Sequence, residues 1–157
     1  MQETFFTSKE AAEMTGCTLR QLQYWRERGV IVPVISETGT GRSIYYSKSN
    51  LVELAAMSYW LSVGLSFDIA STTLKKLKDQ EPELFTSGKG KRYMLLSQAQ
   101  ERSPLGVPLA KPLEEKVSLE LVEFDRKKAI ASLDEGKPVI PVWLDVIYQQ
   151  LMNRLAG

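Results

Sequence analysis

Two helix-start signals in close succession constrain this chain more than any other feature. Thr7–Glu10 (TSKE) has the spacing of a capping box, in which a threonine hydroxyl and a glutamate carboxylate accept hydrogen bonds from otherwise unpaired backbone N–H groups. Gly16 predicts the end of this helix, and Thr18–Gln21 (TLRQ) repeats the capping pattern almost at once. The second helix runs to about Arg28, where Gly29 ends it. Two short helices joined by a turn of about three residues that contains glycine predict a helix-turn-helix.

The segment after the second helix has the composition of a β-hairpin with a long tip. Val30–Ile35 is rich in β-branched residues, and Ile44–Tyr46 is a second short strand candidate. A polar loop with glycines, Ser36–Ser43, separates the two. We therefore predict a wing at this point in the chain.

Two further helices follow the predicted wing. Ser47 caps the first of them, which ends at Gly64, and Ser66 opens the second, which ends near Pro82. Residues 81–92 are basic and contain glycine, and we predict a linker there.

The last third of the chain alternates strand and helix signals. They are strands at Tyr93–Leu96, Val117–Val122 and Val139–Val142, helices at Asp125–Leu133 and Leu144–Leu155, and a proline-rich stretch around Pro104, Pro108 and Pro112. The predicted fold class is mainly α with a small β component, a winged helix-turn-helix followed by a small α/β unit. The predicted domains are 1–80 for the winged helix, 81–92 for the linker, and 93–157 for a C-terminal domain in dimerisation or effector binding.

Composition excludes several classes of function. The chain has no histidine and one cysteine, Cys17, so it can form neither an internal disulfide nor a Cys/His zinc site. The usual Ser/His and Cys/His nucleophile pairs are also impossible. We predict no enzyme, no catalytic residues, no metal and no cofactor. The net charge of +1 argues against a protein that coats DNA by charge alone.

The sequence also bears on location. The N-terminus lacks a basic segment followed by a long apolar stretch, and no run of 18 apolar residues occurs. We therefore expect a cytoplasmic protein without a membrane partner.

The run from Phe6 to about Leu77 resembles the MerR family of winged helix-turn-helix transcription regulators. The matching stretches are FTSKEAAEMTGCTLRQLQYWRERGVI, the wing GTGRSIYYS, and NLVELAAMSYWLSVGLS. The resemblance implies a sequence-specific regulator that binds double-stranded DNA, with RNA polymerase as a further candidate partner. It identifies no small-molecule effector. A homodimer on an inverted repeat is expected, because a single wing domain buries little surface, and the final helix is the expected contributor to self-association.

The recognition helix supplies the first candidate DNA contacts. Thr18, Arg20, Gln21 and Tyr24 are our first choices, since residues in the first turns of such a helix enter the major groove. Arginine can bind guanine, and glutamine adenine, through two hydrogen bonds. The alternative for Arg20 is that it is a solvated surface residue without a DNA contact. For Gln21 the alternative is that the capping box occupies its side chain.

Tyr24 and Trp25 correspond to the family's paired aromatic residues, one of which usually faces the DNA backbone. The alternative for Trp25 is that it is a core residue. Gln23 stands where the family commonly has arginine, and Arg26 or Arg28 can replace that charge.

The wing supplies the second set of candidates. Arg42 follows two glycines that allow a close approach to DNA, where it can enter the minor groove or bind phosphate. The alternative is a solvated loop arginine. Relatives often carry arginine where Ile44 stands here. Tyr45 is a further candidate contact, and either Tyr45 or Tyr46 is expected to pack inward because alternate strand residues face opposite sides.

Two remaining features have both a structural and a functional interpretation. The middle of the chain is basic, which indicates either a solvated helix face or extra phosphate contacts; the residues are Lys75, Lys76, Lys78, Lys89, Lys91 and Arg92. Cys17 is interpreted as a small buried side chain rather than a redox sensor, because no second cysteine can resolve an oxidised form.

Three functions remain open. The leading hypothesis is the dimeric, site-specific DNA-binding regulator. The second is an architectural DNA-binding protein, such as an excisionase or a chromosome-organising factor. The third is a protein-interaction module that has lost DNA binding, which the missing charges at Gln23 and Ile44 would favour.

Overall fold

The computed structural model describes residues 4–36, 44–97 and 119–157. Its helices are α1 Ser8–Thr15, α2 Leu19–Glu27, α3 Lys48–Ser62, α4 Phe67–Gln80, α5 Glu83–Thr86, α6 Arg126–Asp134 and α7 Leu144–Ala156. Its strands are β1 Phe6–Thr7, β2 Ile35–Ser36, β3 Ile44–Tyr46, β4 Tyr93–Ser97, β5 Leu119–Glu123 and β6 Val139–Val142. The predicted fold class, mainly α with a small β component, is confirmed. No helix within the described ranges is long and apolar enough to cross a membrane.

Local capping fixes the first two helices as predicted. The backbone N–H of Glu10 donates to the Thr7 hydroxyl at 3.2 Å, and the N–H of Gln21 donates to the Thr18 hydroxyl at 3.0 Å. Gly16, between the helices, has a φ of 78°, a left-handed conformation that favours glycine. The helix-turn-helix is therefore specified by residues only a few positions apart.

The wing is a small antiparallel sheet with the strand order β1-β3-β2. Phe6 pairs with Tyr46, and Ile35 pairs with Tyr45. The predicted strand over Val30–Ile35 is wrong for most of its length, since only Ile35 of that run lies in a strand. Pro33 has no N–H for a ladder, and a side chain of α3 binds the backbone on either side of it.

Helix α3 lies at the centre of the N-terminal core. It packs against α1, α4, α5, α7 and β3. Its Trp60 and Leu51 are fully buried, as are Trp25 and Leu22 of α2. Helix α2 contacts α1 and buries one face, while its other face lies open to solvent.

The described contacts divide the chain into two compact units. The first comprises the chain up to Gly90 together with Leu144–Gly157, and the second comprises Lys91–Trp143. The segment 81–92, which we predicted as a linker, contains α5, whose Leu84 and Phe85 are buried. The predicted domain 93–157 also differs from these units, because α7 belongs to the first.

Helix α7 joins the first unit through both apolar and polar contacts. It packs against α1, α3 and α5, and it buries Leu144 and Leu151. Near its end, the Arg154 guanidinium donates to the carbonyl of Met14 at 2.8 Å. That carbonyl lies in the last turn of α1, where carbonyl groups lack helical partners. The end of the chain thus stabilises the helix-turn-helix core.

The second unit is an antiparallel sheet of order β5-β4-β6, with α6 against β4 and β6. Trp143 anchors it, with the Phe124 ring edge-on at 5.4 Å and the Arg92 guanidinium 4.2 Å above its ring. The predicted strands and helix of this part are confirmed within the described residues. The proline-rich stretch and residues 117–118 lie outside them.

Candidate nucleic-acid interface

Helix α2 has one buried and one open face. Leu22 and Trp25 are buried, so Trp25 is a core residue, the alternative we gave for it. The open side carries Leu19, Arg20, Gln23, Tyr24 and Glu27. Leu19, at the first helical position, is 55% exposed although it is apolar.

Arg20 occupies the first turn of α2 on this open side. Its side chain is exposed, and no hydrogen bond or ion pair with another described residue engages it. The positive end of a helix dipole lies at the same place. Arg20 is therefore free to donate to an acceptor in front of the helix.

Thr18 and Gln21 engage each other. The Gln21 N–H donates to the Thr18 hydroxyl, and the Thr18 N–H donates to Gln21 Oε1, both at 3.0 Å. The capping alternative for Gln21 thus describes its state in the free protein. A base contact through Oε1 would have to break this bond.

Tyr24 is held on two sides. Its ring meets Phe67 of α4 edge-on at 5.3 Å, and the guanidinium of Arg28 lies 4.8 Å from the ring centroid. The ring is still 39% exposed. From the sequence, Arg28 was a candidate only as a substitute for the charge missing at Gln23. Its contact with Tyr24 could not be predicted, because it depends on the end of α2 and on the neighbouring α4. The pair places a positive charge on the open face of α2.

Arg26 has a different environment from the other arginines of α2. It is half-buried and lies beside the hydroxyl of Tyr46 in β3. Burial raises the pKa of Tyr46, and the nearby Arg26 charge opposes that rise. The Tyr46 hydroxyl has no partner at full hydrogen-bond geometry among the described residues. Arg26 therefore borders the wing sheet.

The wing residues divide as strand alternation predicts. Tyr46 is fully buried, whereas Tyr45 is 36% exposed. The expectation that one of the two packs inward is confirmed. Arg42, the predicted tip contact, lies outside the described residues.

A buried polar network fixes the segment that leads into the wing. Asn50 Oδ1 accepts from the N–H groups of Val34 and Ser47 at 3.1 and 3.0 Å, and its Nδ2 donates to the Val32 carbonyl at 3.1 Å and to Glu53 at 3.2 Å. From the sequence, Asn50 could be read only as the third residue after the Ser47 cap.

Glu53 connects this network to α4. It is buried, and its Oε1 lies 2.8 Å from the ammonium group of Lys78. Burial raises the pKa of Glu53, while the hydrogen bonding and charge of Lys78, and then the bond from Asn50, act in the opposite direction. The wing segment, α3 and α4 are thus joined through a few buried polar atoms.

Cys17 is buried, as expected, and its thiol lies 3.4 Å from the Leu54 carbonyl. Burial raises its pKa, so little reactive thiolate forms near neutral pH. Within the described part of the chain, no group of three or more cysteine or acidic side chains is arranged to hold a metal ion.

The basic residues in the middle of the chain differ in their partners. Lys78 pairs with Glu53, and Lys91 lies 3.7 Å from Glu123 in the second unit. Lys75 and Lys76 are exposed on α4. These two are available to an external anion.

Comparison with known proteins identifies the first half of the chain. Residues 6–77 match the family model described as the MerR HTH family regulatory protein. The match covers the helix-turn-helix, the wing, α3 and most of α4, and it ends before α5. No curated protein matches the chain.

Proposed function

Residues 6–77 are a MerR-type helix-turn-helix domain, and from this premise we propose that the protein is a sequence-specific, double-stranded DNA-binding transcription regulator. The observation that carries the proposal is the open face of α2, with Arg20 exposed in the first turn. Helix α7 packs against α1, α3 and α5, and Leu19, Arg20 and Tyr24 on the open face of α2 are exposed.

The proposed contacts divide into base reading and phosphate binding. Arg20 donates to O6 and N7 of a guanine in the major groove. Leu19, exposed beside it, contacts the methyl group of a thymine. The Tyr24 hydroxyl and the Arg28 guanidinium bind a phosphate, which sets the register of the helix on the duplex.

Thr18 and Gln21 have a smaller expected role in base reading. Breaking their reciprocal capping bonds costs about 1 kcal/mol, so a direct contact by Gln21 must exceed that cost. We propose that in the complex they mainly keep the first turn of α2 in shape.

The wing side completes the proposed interface. Arg42 and the exposed Tyr45 approach the minor groove or its phosphates. Arg26, beside the wing sheet, reaches a phosphate between the recognition helix and the wing.

Random-pool selection followed by a comparison of Arg20 variants tests this proposal. Arg20→Ala should relax discrimination at one base position by roughly 1–3 kcal/mol. Arg20→Lys is the matched control, because it keeps the charge but loses the two-bond geometry with guanine. An equal loss of affinity on all sequences would make Arg20 a phosphate contact. If the wild type selected no duplex from the pool, the protein-interaction module would be favoured instead.

We further propose that the regulator binds an inverted repeat as a homodimer, since two-fold symmetry is the usual way for such modules to gain affinity. Leu144 and Leu151 of α7 are already buried within one unit, so self-association through α7 would use its outer side, which carries the exposed Val146. Size-exclusion chromatography with light scattering should give a dimer on DNA. A monomer at micromolar concentration and on DNA would overturn the dimer, and a cluster of footprints beside a recombination site would favour the architectural alternative.

A further inference from the structure

A cleft of about 420 Å³ lies between the end of α2 and the outer surface of α4. Arg28, Gly29 and Val30 line one side of it. The other side is lined by residues of α4, which are Ser71, Thr72, Lys75, Lys78 and Asp79.

The charge in this cleft is mostly positive, and part of it is available. Lys78 is held by the buried Glu53 at 2.8 Å. Lys75 is exposed and forms no ion pair with another described residue. Arg28 lies over the Tyr24 ring, and its guanidinium forms no ion pair with another described residue. Against these groups stands one lining carboxylate, Asp79.

The length of α2 relates the cleft to a bound duplex. Arg20 and Arg28 are eight residues apart, which corresponds to about 12 Å along a helix. The major groove of B-DNA is about 8.5 Å deep. A helix that enters the groove with Arg20 at the base edges therefore reaches the rim by its last turn, which brings Arg28 to the phosphates. The cleft continues from Arg28 to Lys75.

We propose that this cleft binds the DNA backbone, with Lys75 and Arg28 contacting successive phosphates at the rim of the groove that α2 enters. The inference rests on the proposed DNA-binding function and extends the interface from α2 to α4. A backbone phosphate suits the site because the exposed residues Arg28, Thr72 and Lys75 line it, two of them cations and one with a hydroxyl group. Arg28 belongs both to the cleft and to the proposed phosphate contact at Tyr24.

The test compares Lys75→Ala with Lys76→Ala. Lys76 is the matched control, because it is the next residue of α4, is also exposed, and does not line the cleft. Affinity for the selected duplex and for an unrelated duplex is measured at several salt concentrations. Each lost phosphate contact makes the fall of log K with log salt less steep by about 0.9. A fourfold rise in salt should then weaken DNA binding by the wild type about 3.5-fold more than DNA binding by Lys75→Ala.

The expected result is a reduced slope for Lys75→Ala on both duplexes and an unchanged slope for Lys76→Ala. Arg28→Ala should reduce the slope in the same way. Equal slopes for the two lysine variants would overturn the cleft proposal while leaving the wild type's specific binding, and so the proposed function, intact. A wild type that binds no duplex would instead overturn the proposed function.

Inorganic phosphate serves as a second probe. Titrated against the protein without DNA, it should show no saturable binding that depends on Lys75. Saturable binding lost in Lys75→Ala, together with an unchanged DNA salt slope, would assign the cleft to a free phosphate compound and overturn its role in the DNA interface.

Discussion

Replacing Asn50 by alanine should destabilise the first unit more than its single side chain suggests. The amide makes four hydrogen bonds, to the N–H groups of Val34 and Ser47, to the carbonyl of Val32 and to the carboxylate of Glu53. It is 7% exposed, so water replaces few of these bonds in the variant. Each bond contributes about 1 kcal/mol net, and a buried partner left unpaired costs about 1–3 kcal/mol. We expect a loss of about 3–4 kcal/mol in the free energy of unfolding.

Asn50→Asp separates the two halves of the network. The carboxylate can still accept from Val34 and Ser47, but it cannot donate to Val32 or Glu53 and stands next to the latter's charge. Two close carboxylates raise the pKa of one of them in the folded state. The folded variant then binds more protons than the unfolded chain, so its stability should fall as pH rises above the ordinary carboxyl range.

Urea unfolding followed by tryptophan fluorescence measures both variants, because Trp25 and Trp60 are buried in this unit. The slope of free energy against urea should match that of the wild type if the transition remains cooperative. A loss below about 1 kcal/mol for Asn50→Ala, the net value of one hydrogen bond, would refute the reasoning. It would mean that the segment leading into the wing is held by other contacts.

Three further outcomes are expected. Gly88→Ala should lower the free energy of unfolding in urea by about 1–3 kcal/mol more than Gly29→Ala does. Both glycines have left-handed φ angles, but only the added Cβ at Gly88 meets another side chain, the Tyr148 ring at 2.5 Å. Equal losses for the two variants would contradict the packing of α7 against this segment. Glu53→Gln should be more stable than the wild type at neutral pH, since burial raises the pKa of the carboxyl above its ordinary 4.5 and makes its ionisation unfavourable in the fold. That gap should close as pH falls through the ordinary value, and a less stable variant at neutral pH would show that the ion pair outweighs burial. Replacing one thymine of the selected duplex by uracil should weaken the wild type roughly fourfold, the value of one buried methyl group, and should leave Leu19→Ala unaffected; equal sensitivity of both proteins at every thymine would exclude this contact.

The candidate site was predicted from sequence to the extent that it depends on helix position. The first turn of α2 could be located from the cap at Thr18, so Arg20 could be assigned to it without tertiary information. The state of Gln21 could not be decided, because a cap and a base contact use the same side chain. The sequence offered Arg26 and Arg28 as equal substitutes for the missing charge at Gln23. Only the structure distinguishes them, because Arg28 lies over the Tyr24 ring and Arg26 lies beside the Tyr46 hydroxyl.

The sequence by itself determined the helix-turn-helix and the helices around it. Capping boxes and terminal glycines act over three or four residues, so they operate before any distant contact forms. Tertiary structure decided which tyrosine of the wing is buried, where the backbone around Pro33 is bound, and which unit includes α7. The bond from Arg154 to the Met14 carbonyl joins residues 140 positions apart. Local periodicity does not encode such a partner, because burial and polar pairing between distant segments depend on how all the elements pack together.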